Sequence, residues 1–159
     1  MTELPGAERA RAALEASGRP FQITVHGPVG SLAEAAAARG VAPGDMIKTI
    51  VVRRRDDDFL LVLVPGDRTI SWPKLRAYLG VSRLTMPDAD VAREVTGYER
   101  GAITPFGATT AWPVIADAAI VGRTVSIGAG QHGVAATMLG DDVIAATNAE
   151  VADVTEPEG

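Results

Sequence analysis

The chain has 159 residues, 47% hydrophobic and 22% charged, with a net charge of −5 at pH 7 and no cysteine. Lack of cysteine excludes disulfides, thiol catalysis and cysteine-ligated metal. The acidic balance argues against a broad grip on nucleic acid, which requires neutralising many phosphates. No apolar stretch approaches the ~20 residues a membrane helix needs, and residues 1–6 lack a basic region followed by an apolar core. One cytoplasmic domain over residues 1–159 is therefore expected, with neither a membrane nor DNA as partner.

In chain order, residues 8–16 read as a short amphipathic helix ending near Gly18, and residues 21–25 alternate as a strand. Ser31 and Glu34 form a capping box, the serine serving free N–H groups and the glutamate reaching back. The alanine-rich helix they open should stop at Gly40 in a left-handed cap. Strands over 46–53 and 59–64 follow, joined by Arg53-Arg54-Arg55-Asp56-Asp57-Asp58, a solvated turn whose charges partly cancel. Apolar and β-branched residues on both faces predict that each strand is covered on both sides.

Ser71-Trp72-Pro73 opens a helix that Gly80 ends. A short strand over 82–86, a helix over 88–96 stopped by Gly97, and an irregular stretch over 98–111 come next. Strands over 112–116, 124–127 and 134–139, a helix over 141–146 and a frayed tail over 155–159 complete the chain. Strands and helices intermix without strict βαβ alternation, which defines an α/β domain of the α+β type.

Lys48 carries the clearest chemical signal. The chain has thirteen arginines and two lysines, Lys48 and Lys74, and Lys48 sits inside Met46-Ile47-Lys48-Thr49-Ile50-Val51-Val52. Placing an ammonium in an apolar strand is costly, and a compact point charge is something guanidinium does not imitate. The alternative is a strand-end lysine whose stem packs while its head reaches water.

Other motifs are weaker. Gly128-Ala129-Gly130-Gln131-His132-Gly133 satisfies G-x-G-x-x-G, yet a strand-like run follows it where a dinucleotide site needs a helix. It reads instead as a glycine-rich hairpin permitting close approach, with His132 at its tip. His26, leaving a strand before Gly27-Pro28, either fixes a turn or binds a ligand, and two histidines are too few for a metal site without carboxylate help. Neither a nucleophile elbow nor a P-loop is present. In Gly101-Ala102-Ile103-Thr104-Pro105, glycine and proline can leave backbone groups unpaired by the sheet and open to a ligand; an ordinary turn is the alternative.

Taken together, these pieces resemble the YbaK/EbsC family of aminoacyl-tRNA deacylases, related to the editing domain of bacterial prolyl-tRNA synthetases. The likeness covers residues 21–154. It rests on His26-Gly27-Pro28, Gly40-Val41, Lys48-Thr49, the run from Val91 through Thr96-Gly97-Tyr98, Gly101 to Gly107, Asp117 and the glycine-rich hairpin. The resemblance implies a mixed, partly closed β-sheet with surrounding helices. It implies hydrolysis of the ester joining a wrong amino acid to the 3′ adenosine of tRNA, with no cofactor and no metal. The family's active lysine falls on Lys48, which would act as a cation, and its G-x-x-x-P loop falls on Gly101 and Pro105. His26, Thr49, Thr104, Gly130 and His132 would complete substrate binding.

The partner implied is the aminoacyl-tRNA acceptor end, presented by an aminoacyl-tRNA synthetase or an elongation factor. Thr49 matches members that remove cysteine. Gln131-His132 and Ala135 replace the Lys-Arg pair and Asp those members carry, so the amino acid is read only as a small one such as Ala, Ser or Cys. A non-catalytic binding module of the same fold is the alternative from another class.

Overall fold

The computed structural model describes residues 6–158; the residues read for a leader, 1–5, lie outside them. Helix α1 (Gly6–Ala16) precedes β1 (Gln22–Val25) and α2 (Leu32–Arg39). The capping box forms with one change of partner. Ser31 Oγ accepts from Glu34 N at 3.1 Å, while the Glu34 carboxylate accepts from Gly30 N at 2.6 Å, one residue before the cap. Gly40 ends α2 at φ 73°.

Strands β2 (Met46–Arg55) and β3 (Asp58–Pro65) form an antiparallel pair in which Lys48 faces Val64 and Thr49 faces Leu63. The charged turn between them contains a bulge between Arg53 and Arg55 and places Asp57 at φ 60°. After β4 (Arg68–Ile70), helix α3 (Trp72–Leu79) is capped by Ser71 and Gly80, and α4 (Ala89–Thr96) by Asp88 and Gly97. Strands β5 (Val114–Asp117), β6 (Thr124–Gly128) and β7 (Val134–Leu139) lead to α5 (Gly140–Thr147). The chain closes with β8 (Glu150–Ala152) and β9 (Thr155–Pro157).

Seven strands form a mixed sheet in the order β1-β7-β6-β2-β3-β5-β8, and β4 pairs with β9 in a separate two-stranded sheet. Both faces of the β2–β3 pair are covered. Leu61 and Leu63 alternate onto one face with Ile47 and Val51, packed by Leu14 of α1, Ala92 of α4 and the loop residues Tyr98, Ile103 and Phe106. Leu60, Val62 and Val64 alternate onto the other with Val52, against Ile70 and Leu75. The period of two thus serves two separate apolar layers, which explains the lack of a polar face.

Two expectations are corrected. Residues 82–86 do not form a strand but make a single bridge, Thr85 with Arg53. The tail is not frayed at residues 155–157: β9 pairs with β4, and Arg68 Nε donates to Thr155 Oγ1 at 2.6 Å. Buried Asp117 fastens the same region, its carboxylate accepting from Ala119 N at 3.0 Å and Val154 N at 3.2 Å. A polar tail reads as unstructured because its partners lie far away in sequence.

Candidate active site

β2 and β6 run parallel but pair only at Met46 with Ser126 and Ile47 with Ile127. Beyond that point they separate, and from Lys48 onward this edge of β2 has no ladder until Arg53 meets Thr85. The fork opens a cavity of about 380 Å³. Its wall follows β2 from Met46 to Val51 and is completed by Arg39, Met86, Ala92, Arg100, Gly101, Ile103 and Gly128. A gap between diverging parallel strands is a common place for ligands, because backbone groups and side chains of both strands converge there.

Lys48 and Gly101, 53 positions apart in sequence, line this one cavity together with Thr49. Lys48 alternates onto the β4 side of the sheet. Its stem packs in the strand, and its half-exposed ammonium donates to the Arg68 carbonyl at 2.9 Å and pairs with Glu158 Oε2 at 3.7 Å. It also borders a smaller cavity of about 170 Å³ lined by Ile70 and Trp72, so it stands at the junction of two hollows. Thr49 points to the opposite side, and its Oγ1 is buried without a hydrogen-bond partner. An orphaned hydroxyl in a cavity wall has donor and acceptor capacity available for a ligand or water.

The loop carrying Gly101 is held from behind. Gly97 ends α4 in a left-handed cap, and buried Thr96 Oγ1 accepts from Tyr98 N at 3.2 Å. The Tyr98 hydroxyl donates to the Phe106 carbonyl at 2.6 Å, which ties the two ends of the loop together. Burial pushes the Tyr98 phenol above its ordinary value, with the charge of Arg9, stacked on the ring at 4.8 Å, working the other way. Tyr98→Phe would leave the buried Phe106 carbonyl without this donor, at a cost of about 1–2 kcal/mol. A Tm lower by roughly 2–8 °C is the expected result of thermal melting.

The remaining candidate residues occupy several places. His132 is exposed and lies against Gly101 without lining the cavity: a Cβ built on Gly101 would stand 3.0 Å from His132 Cε1. Its Nε2 is 3.4 Å from Glu99 Oε2. His26 lies at the end of β1, where its backbone N–H donates to the Gly133 carbonyl at 2.8 Å and its Nδ1 meets the Gly27 carbonyl at 2.8 Å. Gly130, at φ 85°, lets the hairpin close on Gly6 and Tyr98. Thr104 is fully buried, with its hydroxyl on Phe106 N at 3.3 Å. Pro105 borders a separate hollow of about 200 Å³ with Phe106 and Trp112. The fold therefore gathers Lys48, Thr49 and Gly101 on the cavity, with His132 beside Gly101, and distributes His26, Thr104, Pro105 and Gly130 elsewhere.

Sequence reasoning missed Arg39, Arg100 and Met86. Arg100 adjoins Gly101 and Arg39 precedes the Gly40 cap, so position beside a motif was the available signal. Among the described residues no group of three or more His, Cys, Asp or Glu side chains could hold a metal ion, and no helix is long and apolar enough to cross a membrane.

The chain is thus an α/β domain whose mixed sheet forks around a cavity walled by a lysine, a threonine and a glycine loop. Residues 26–146 match the model of the aminoacyl-tRNA editing domain, and the chain belongs to that family. It is 38% identical over 87 residues to the proline–tRNA ligase of Heliobacterium modesticaldum, a match covering 55% of this chain but only 15% of the ligase. It is 24% identical over 124 residues to EbsC of Enterococcus faecalis, named as a candidate Cys-tRNA(Pro)/Cys-tRNA(Cys) deacylase, covering 77% of this chain and 76% of that protein. The crystal structure of a candidate trans-editing enzyme for prolyl-tRNA synthetase superposes with a TM-score of 0.86 at 26% identity, covering 99% of this chain and 100% of the other. The resemblance read from the motifs, and the mixed α/β fold it implied, are borne out.

Proposed function

We propose that this chain is a trans-editing hydrolase that cleaves the ester of mischarged aminoacyl-tRNA. Water adds to the ester carbonyl carbon, the bond to the ribose oxygen breaks, and that oxygen leaves with a proton, giving a free amino acid and an intact tRNA end. The observation carrying the reading is that Lys48 and the Gly101 backbone border one apolar-walled cavity. An aminoacyl ester is already activated, so orientation and exclusion of unsuitable side chains supply much of the catalysis without a triad. Lys48 would hold the ribose-phosphate region as a cation, and the backbone around Gly101 would hold the aminoacyl group and position the attacking water.

The substrate we assign is a small amino acid, Ala, Ser or Cys, on tRNA-Pro. The support is that the relatives include a proline–tRNA ligase and a protein named as a candidate Cys-tRNA(Pro)/Cys-tRNA(Cys) deacylase. A panel of Ala-, Ser-, Cys- and Pro-charged tRNA tests it. Release of at least one small amino acid is expected, whereas binding without release from any member would identify a non-catalytic module.

The acidic chain should bind free tRNA weakly, with a shallow salt dependence reflecting a few phosphates at the acceptor end. Presentation by a synthetase or an elongation factor would then raise efficiency. Tight binding with a steep slope, measured by titration across a salt series, would contradict this.

A further inference from the structure

We propose that Arg39, with Arg100 lining the same cavity, is a phosphate-binding residue that takes a phosphodiester oxygen of the substrate's acceptor end. This inference rests on the editing reading above and adds an anion site to it. The wall of the cavity contains three cations, Arg39, Lys48 and Arg100, and no carboxylate. In a chain of net charge −5 that is a local reversal of sign.

Arg39 is set apart from the other arginines by combining a buried, unpartnered Nε with a guanidinium that has no other partner among the described residues. The buried Nε of Arg9, Arg39, Arg53 and Arg54 all lack a hydrogen-bond partner. Three of these guanidinium groups are otherwise engaged. Arg9 donates through Nη2 to the Gly97 carbonyl, Arg53 stacks over Phe59, and Arg54 pairs with Asp58. Arg39, half-buried in the last turn of α2, has no hydrogen bond, ion pair or ring contact among the described residues. Burial lowers its affinity for the proton.

A partly desolvated guanidinium without a counter-charge is unfavourable in the empty protein and becomes favourable when an oxyanion arrives. Its planar fork suits a phosphate through two parallel hydrogen bonds. Lys48, whose ammonium also serves the Arg68 carbonyl and Glu158, keeps the ribose end assigned to it above, and Arg39 takes a separate phosphodiester oxygen.

The test is equilibrium binding of a short single-stranded RNA ending in CCA across a salt series, with wild type, Arg39→Gln, Arg39→Lys and, as an exposed arginine that does not line the cavity, Arg83→Gln. One lost phosphate contact on a single strand should reduce the slope of log K against log salt by about 0.7. Arg39→Gln is expected to show that reduction with roughly tenfold weaker affinity. Arg39→Lys should keep the slope, Arg83→Gln should match wild type, and the Tm of Arg39→Gln should be unchanged or higher. On mischarged tRNA, Arg39→Gln should raise KM far more than it lowers kcat.

An unchanged slope and affinity in Arg39→Gln would overturn the proposal. So would a fall in Tm with the slope intact, which indicates a structural role, or an absence of RNA binding by wild type. RNA binding that depends on Arg39 in a protein that releases no amino acid would keep the anion site and remove the hydrolytic reading. Robust deacylation indifferent to Arg39 would do the reverse.

Discussion

Lys48→Ala is expected to lower kcat/KM for deacylation on the order of 10²-fold or more, the scale of losing a charged group aimed at the reacting end of a substrate. Folding should hardly change. The ion pair with Glu158 spans 3.7 Å between side chains 39% and 61% exposed, and such pairs contribute little. The hydrogen bond to the Arg68 carbonyl is lost, but that group lies near the cavity, where water can replace the ammonium. Lys48→Arg should not rescue activity. A planar fork differs in shape and hydrogen-bond geometry from the compact ammonium that reaches the Arg68 carbonyl at the junction of two cavities. The checks are kcat/KM on a mischarged tRNA and a melting curve for both variants. Full activity in the alanine variant would dismiss Lys48 from the site.

Gly101→Ala should reduce hydrolysis of every accepted substrate, by tenfold or more, through two separable effects. Gly101 sits at φ 92°, where an L side chain is strained, and forcing alanine there costs about 1–2 kcal/mol or shifts the loop. The added Cβ would also stand 3.0 Å from His132 Cε1 and 3.4 Å from its Nδ1. His132 is exposed at the hairpin tip and can turn aside, so the backbone effect dominates. The loop hangs between Gly97 and the bond from Tyr98 to the Phe106 carbonyl, so a small backbone shift moves the groups that face the cavity. Combining Gly101→Ala with His132→Ala separates the two terms. Removal of the ring should recover only a minor part of the rate, and the Tm should fall by a few degrees at most. Unchanged rates across Ala-, Ser-, Cys- and Pro-charged tRNA would make Gly101 an ordinary turn. Recovery to wild type in the double variant would assign the loss to the collision instead.

Most element boundaries were legible because local chemistry sets them. Ser31, Ser71 and Asp88 cap helix starts with side-chain oxygens, and Gly40, Gly80 and Gly97 end the same helices at positive φ. These are contacts within a few residues, and they leave a mark in composition. The doubly apolar runs of β2 and β3 likewise announced cover on both faces, and the G-x-G-x-x-G run was correctly read as leading into a strand.

Strand pairing between distant segments left no such mark. Residues 155–157 look like a frayed tail until β4 is placed beside them, and β8, three residues long, is too short to register alone. Within the site, the sequence alone marked Lys48 and the Gly101 loop as unusual, because an ammonium in a Val/Ile strand and a glycine-proline loop are local oddities, while Thr49 came only with the family resemblance. Only the tertiary structure decided that they border one cavity, since that depends on where β2 and β6 cease to pair. It also decided that His26, Thr104, Pro105 and Gly130 stand apart from that cavity, and that Arg39 reaches it without a counter-charge. Charge and residue type are written in the chain, but which charges share a wall, and which lack partners, is a property of contacts between residues far apart in sequence.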